Sequence, residues 1–163
     1  MKTIYFAGGC FWGTQKFFDQ FKGVVNTEVG YANGAKANPT YQEVCNDSGH
    51  AETVKVEFDE NVISIEKLVG YYFMVIDPTS VNKQGEDEGI QYRTGIYYTD
   101  DTMLPQLKAC YEAKEAELGC KLAVELLPLE NFYSAEEYHQ DYLVKNPTGY
   151  CHIGGKMFHL EEE

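Results

Sequence analysis

Positive charge is scarce in this 163-residue chain: 13 Lys and Arg stand against 26 Asp and Glu, for a formal charge of −13. A field of that sign repels phosphate backbones and anionic headgroups, so neither nucleic acid nor a membrane surface is an expected partner. No stretch approaches the roughly 20 apolar residues that a bilayer-spanning helix needs. The apolar run Ile4 to Ala7 is also shorter than the roughly 7 to 15 residues of a signal-peptide core, and Phe11-Trp12 resume it after Cys10, so this end reads as mature structure. There is no CxxC pair, no internal repeat and no shift of composition along the chain. Cys45 and His50, with Cys151-His152, lack the paired spacing of structural zinc modules, so no metal is expected.

Aromatic residues are plentiful, with 13 Tyr and 9 Phe against a single Trp. Hydrophobic residues make up 44% and charged residues 24%, which excludes a disordered, collagen-like or coiled-coil chain. The length suits one domain spanning 1–163. Five cysteines, an odd number in a chain large enough to fold without staples, point to free thiols in a reducing compartment, by default the cytoplasm.

Thr3 to Ala7 alternates Ile4 and Phe6 on one face and predicts a strand broken by Gly8-Gly9. A short helix from about Phe11 to Phe21 should stop at Gly23, before a strand over Val24 to Ala32. Asn33 to Gly49 reads as a long functional loop. Thr53 to Phe58 is a half-buried strand. Ile65, Leu68, Val69, Tyr72, Phe73 and Ile76 form the apolar stripe of a helix capped by Ser64 and stopped by Pro78. A second long loop covers Asp77 to Arg93. It is followed by a strand (Gly95 to Thr99), a helix (Met103 to Leu118, capped by Thr102 and closed by Gly119) and another strand (Leu122 to Leu127). Ser134 and Glu137 suggest a capping box opening a helix to about Lys145. From about residue 146 a long coiled tail is expected. The β-α-β-β-α-β order over residues 3–99 predicts an α+β, two-layer ferredoxin-like (split βαβ) mixed sheet with helices packed on it.

Cys10 follows two glycines at a strand end and precedes a helix, whose unpaired N–H groups and dipole favour thiolate over thiol. Its alternative is a small buried hydrophobe. Phe11 and Trp12 set two rings beside the thiol, as an apolar slot or as core. Glu52, entering a strand, is either a solvated end residue or a buried acid held protonated by desolvation. Tyr41 and Tyr92 flank the two loops and can donate O–H bonds, and Asp87 suits a turn or a ligand contact. Cys151, in the tail, could resolve an oxidised Cys10; Cys45 competes for that role. On these residues alone a peptide-binding module and a thiol peroxidase remain open.

Gly9-Cys10-Phe11-Trp12-Gly13, Gly30-Tyr31, Pro39-Thr40-Tyr41-Gln42-Glu43-Val44-Cys45, Gly49-His50-Ala51-Glu52, Asp77-Pro78-Thr79, Gln84-Gly85, Gln91-Tyr92-Arg93 and Gly149-Tyr150-Cys151, in that order, resemble the class A peptide methionine sulfoxide reductases from about Lys2 to Gly155. The resemblance implies reduction of methionine S-sulfoxide, free or in proteins, without a bound cofactor. Cys10 would be the nucleophile, Glu52 the acid, Tyr41 and Tyr92 the oxygen-binding hydroxyls, Phe11 and Trp12 the methyl pocket and Asp87 a substrate contact. Cys151 would close a disulfide with Cys10, to be reduced by thioredoxin or another thiol. Two positions depart from many relatives: His159 stands where some carry a second tail cysteine, and Ile76 precedes Asp77-Pro78 where many have histidine.

Overall fold

The structure, a computed structural model, describes residues 1–34, 39–45, 49–84 and 87–146; the expected tail and Cys151 lie outside them. In chain order the elements are β1 (Lys2–Gly8), α1 (Phe11–Asp19), β2 (Val24–Ala32), α2 (Tyr41–Cys45), β3 (Ala51–Phe58), α3 (Ile65–Met74), β4 (Lys83–Gln84), β5 (Asp87–Glu88), β6 (Thr94–Tyr98), α4 (Leu104–Leu118), β7 (Glu125–Pro128), β8 (Phe132–Ser134) and α5 (Tyr142–Lys145). Single helical turns form at Ile90–Tyr92, Asp101–Met103 and Glu137–His139.

Six strands pair in the order β7-β6-β1-β3-β2-β8. β3 lies antiparallel between β1 and β2, and β6 is antiparallel to β1 on its other side. This is the expected split βαβ sheet, extended by β7, parallel to β6, and by β8 on β2. Alternation makes it two-layered: Ile4 and Phe6 point to the helices, where Phe6 stacks on Phe18 of α1 at 4.9 Å and on Tyr72 of α3 at 4.8 Å. On the opposite face Tyr5, Ala7, Ala32, Ala51 and Tyr97 form a smaller cluster under Phe132 and Leu129. Register places Tyr31 opposite Glu52 and Ala7 opposite Thr53, so Glu52 faces the helices at the end of the sheet where α1 begins.

Several boundaries differ from the sequence expectation. Asn33 to Gly49 contains α2, opened by a capping box in which Glu43 N–H donates to Thr40 Oγ1 and Thr40 N–H to Glu43 Oε1. The second loop contains the β4–β5 hairpin, and α3 stops at Met74, short of Ile76. Asp100, not Thr102, caps the turn before α4, by accepting from Thr102 N–H. The Ser134–Glu137 helix start does not form. Ser134 ends β8, and tertiary bonds hold the next residues: Gln140 accepts from Val29 N–H and donates to the Val29 and Ala135 carbonyls, while Asp141 N–H donates to Gln15.

Candidate active site

Cys10 sits where β1 turns into α1. Gly9 takes a left-handed φ of +83°, which favours glycine there, and a Cβ on Gly8 would stand 3.0 Å from Ile76 Cγ2, a tight fit just past the C-terminal end of α3. Cys10 is the N-cap residue of α1 and only 6% exposed, at the helix end whose first-turn amides have no partner within the helix.

The first of those amides reaches the acid. Phe11 N–H donates to Glu52 Oε1 at 3.3 Å, joining strand and helix beside the cysteine. Glu52 is 1% exposed. Burial pushes its carboxyl up to about 8; the Phe11 bond opposes this and the Asp87 charge adds to it. The side chain therefore holds a proton at neutral pH. Tyr41, at the start of α2, and Tyr92, in the turn before β6, are both raised above the ordinary tyrosine value, first by burial and then by Glu52. Cys10 and Asp87 also act on Tyr92, so the cysteine, the acid, both phenols and Asp87 share one electrostatic neighbourhood. Tyr41 is also hydrogen-bonded to Cys45, whose thiol is raised chiefly by burial.

Phe11 is fully buried against Tyr31, while Trp12 is partly open and lies flat on Tyr142 of α5, with centroids 3.8 Å apart. Sequence reasoning missed the Glu136–His139 segment that holds this wall. His139 Nδ1 accepts from the Trp12 indole N–H at 2.9 Å, and its ring lies 4.5 Å from that of Tyr41. Glu136 accepts from Tyr31 O–H at 2.7 Å and from Tyr41 N–H at 3.0 Å. The available signal was one of only four histidines inside a run read as a helix opened by a capping box. Arg93 ties the surrounding loops together, donating to Glu125, to the carbonyls of Gly49 and Ile90, and to that of Asn33.

The structure thus brings Cys10, Phe11, Trp12, Tyr41, Glu52, Asp87 and Tyr92 to one end of the sheet; Cys151 falls outside the described residues. Among the described residues Cys10, Cys45, Cys110 and Cys120 form no disulfide, and no group of three His, Cys, Asp or Glu is arranged to hold a metal. A thiol at a helix N-terminus, a neutral carboxylic acid and two protonated phenols suit attack on an electrophile whose oxygen must be protonated before its bond breaks.

The family model of peptide methionine sulfoxide reductase matches residues 2–161. The chain is 57% identical over 158 residues to the peptide methionine sulfoxide reductase MsrA of Lachnoclostridium phytofermentans, covering 96% of this chain and 95% of that one. The reduced form of Mxr1 from Saccharomyces cerevisiae superposes with a TM-score of 0.87 at 40% identity, over 92% of this chain and 88% of that one. Mxr1 in complex with Trx2 superposes with a TM-score of 0.61 at 27% identity, over 86% and 84%. On the pattern match, the identity and the shared fold together, the chain belongs to the peptide methionine sulfoxide reductase family of thiol-dependent oxidoreductases.

Proposed function

We propose that residues 1–163 act as one catalytic domain that reduces methionine S-sulfoxide, free or within proteins, in the cytoplasm. The observation that carries the residue roles is the Phe11 N–H to Glu52 bond, which seats a protonated acid next to the cysteine at the mouth of α1. The Cys10 thiolate attacks the sulfoxide sulfur and Glu52 protonates its oxygen. The hydroxyls of Tyr41 and Tyr92 bond that oxygen; as the S–S bond just formed to Cys10 breaks and methionine leaves with its electron pair, the protonated oxygen passes from the methionine sulfur to the Cys10 sulfur. Phe11 and Trp12 receive the S-methyl group and Asp87 bonds the substrate backbone. Cys10 keeps the oxygen as a sulfenic acid. The Cys151 thiol then displaces it as water, closing a Cys10–Cys151 disulfide, and the dithiol of a thioredoxin reduces that bond by exchange.

Trx2 bound to Mxr1 supports a thioredoxin as the reductant. The excess of acidic residues supports the absence of nucleic-acid and membrane partners. No bound cofactor is needed, because both electrons come from thiols. The test is Cys10→Ser, assayed for methionine released from a methionine S-sulfoxide peptide. Loss of all detectable turnover is expected, and turnover near the parent's would remove Cys10 from the nucleophile's role.

A further inference from the structure

His139 is a buried polar residue that none of these steps uses. It is 1% exposed and stands among rings: Tyr138 at 4.1 Å, Tyr41 at 4.5 Å, Phe11 at 5.3 Å and Trp12 at 5.7 Å. An indole nitrogen only donates, so His139 Nδ1 must be the bare, accepting nitrogen of a neutral ring whose proton sits on Nε2. That Nε2 is buried and has no hydrogen-bond partner among the described residues. A phenylalanine would fill the same space without an orphaned donor, so what distinguishes histidine here is the nitrogen that faces Trp12.

We propose that His139 is a positioning residue: by accepting from the Trp12 indole it fixes the angle of that ring, and so the shape of the pocket that receives the substrate methyl group. The proposal rests on the reading that Phe11 and Trp12 wall that pocket. Two restraints act on the indole, and they are complementary. Stacking on Tyr142, with planes 13° apart, fixes the plane of the ring but lets it turn within that plane. The hydrogen bond to His139 stops that rotation. His139 is held in turn by its own N–H to the Glu136 carbonyl at 2.9 Å, and Glu136 anchors Tyr31 and Tyr41. One short segment thereby orients both the methyl wall and an oxygen-binding phenol.

The restraint depends on protonation. The groups facing the imidazole are the Glu136 carboxylate and Tyr138 from its own turn, Tyr41 from α2, and Trp12 and Phe11 from α1. Burial holds His139 below its ordinary value, with Glu136 opposing. Once protonated, Nδ1 carries a hydrogen, two donors face each other and the indole is released.

Trp12 is the only tryptophan in the chain, so fluorescence excited at the red edge of indole absorption, where the 13 tyrosines do not absorb, reports its surroundings alone. His139→Phe keeps a ring but loses the acceptor, while His139→Asn keeps an acceptor but loses the ring. His139→Phe is expected to raise KM for a methionine S-sulfoxide peptide about 3- to 10-fold, the worth of one neutral hydrogen bond, with a near-parental single-turnover rate at saturation. It should also shift Trp12 emission and lower its anisotropy, and His139→Asn should recover part of the KM. In a Trp12→Phe background the same His139→Phe change should add nothing to KM. The unsubstituted protein gives a reading that needs no variant: KM and Trp12 emission should change together as pH falls below 6.5. Parental KM and emission in His139→Phe, or equal effects in both backgrounds, would overturn the proposal alone. A parental KM in Trp12→Phe would overturn it by removing the pocket on which it rests.

Discussion

Glu52 carries its proton because water cannot reach it, and the Phe11 amide is too weak a partner to compensate for that loss. The acid form persists up to pH about 8, so the first chemical step should slow as pH rises through that value. Glu52→Gln removes the proton and the titration together. Its single-turnover rate should fall by about 10²- to 10⁴-fold below pH 8, with a flat pH profile; a parental profile in that variant would take Glu52 out of the acid's role. Stability should move the other way. A carboxyl near 4.5 when unfolded and about 8 when folded favours the fold fully below pH 4.5, and that contribution is lost as pH rises toward 8. At pH 7 the difference is 2.5 pH units, on the order of 3 kcal/mol, that Glu52→Gln should regain. Denaturant titrations of the two proteins at pH 4 and pH 7 check this: the gap should be near zero at the lower pH and open at the higher one.

Among the elements that carry candidate site residues, α2 cannot stand alone. Five residues are too few for a stable isolated helix, so its place depends on the Thr40–Glu43 box and on Glu136 accepting from Tyr41 N–H. Thr40→Ala should cost about 1 kcal/mol or less globally, yet lower kcat/KM several-fold because Tyr41 loses its fixed position. Calorimetry beside steady-state kinetics separates the two effects, and unchanged kcat/KM would show that Tyr41 is held by other means. The same element marks the limit of what the sequence reveals. Period-two alternation and Ser64 were enough for the central strands and α3, because local pattern and burial agree there. Thr40-Tyr41-Gln42-Glu43 carries the same kind of capping signal as Ser134 to Glu137, but only the first is realised. Gln140 and His139 bind α1 and β2 instead, and no local pattern records bonds across more than a hundred residues. The candidate site was legible residue by residue for Cys10, Glu52, Tyr41 and Tyr92, largely because their motifs recur in order. His139 was not, since its role lies in a contact with Trp12.

At the scale of the molecule, four distant regions meet at one end of the sheet: residues 10–12, 41–45 with 49–52, 87–92 and 136–142. The Phe11 amide joins the first region to Glu52, Arg93 ties Ile90 to Gly49 and Asn33, and His139 and Gln140 fasten the last region to Trp12 and to Val29 of β2. The site is therefore a property of the whole fold, and on the proposed function the chemistry beyond the first step depends on the Cys151 thiol. Cys151→Ser should release about one methionine per chain in a single turnover and then stall with a thioredoxin system; sustained cycling would assign resolution to Cys45 or to direct reduction. The most direct test of the account is a mass-resolved thiol and disulfide map of the full chain after excess methionine S-sulfoxide is added without reductant. The account predicts one Cys10–Cys151 linkage per methionine formed, with Cys45, Cys110 and Cys120 still reduced. Methionine formed while Cys10 remains a free thiol would contradict it.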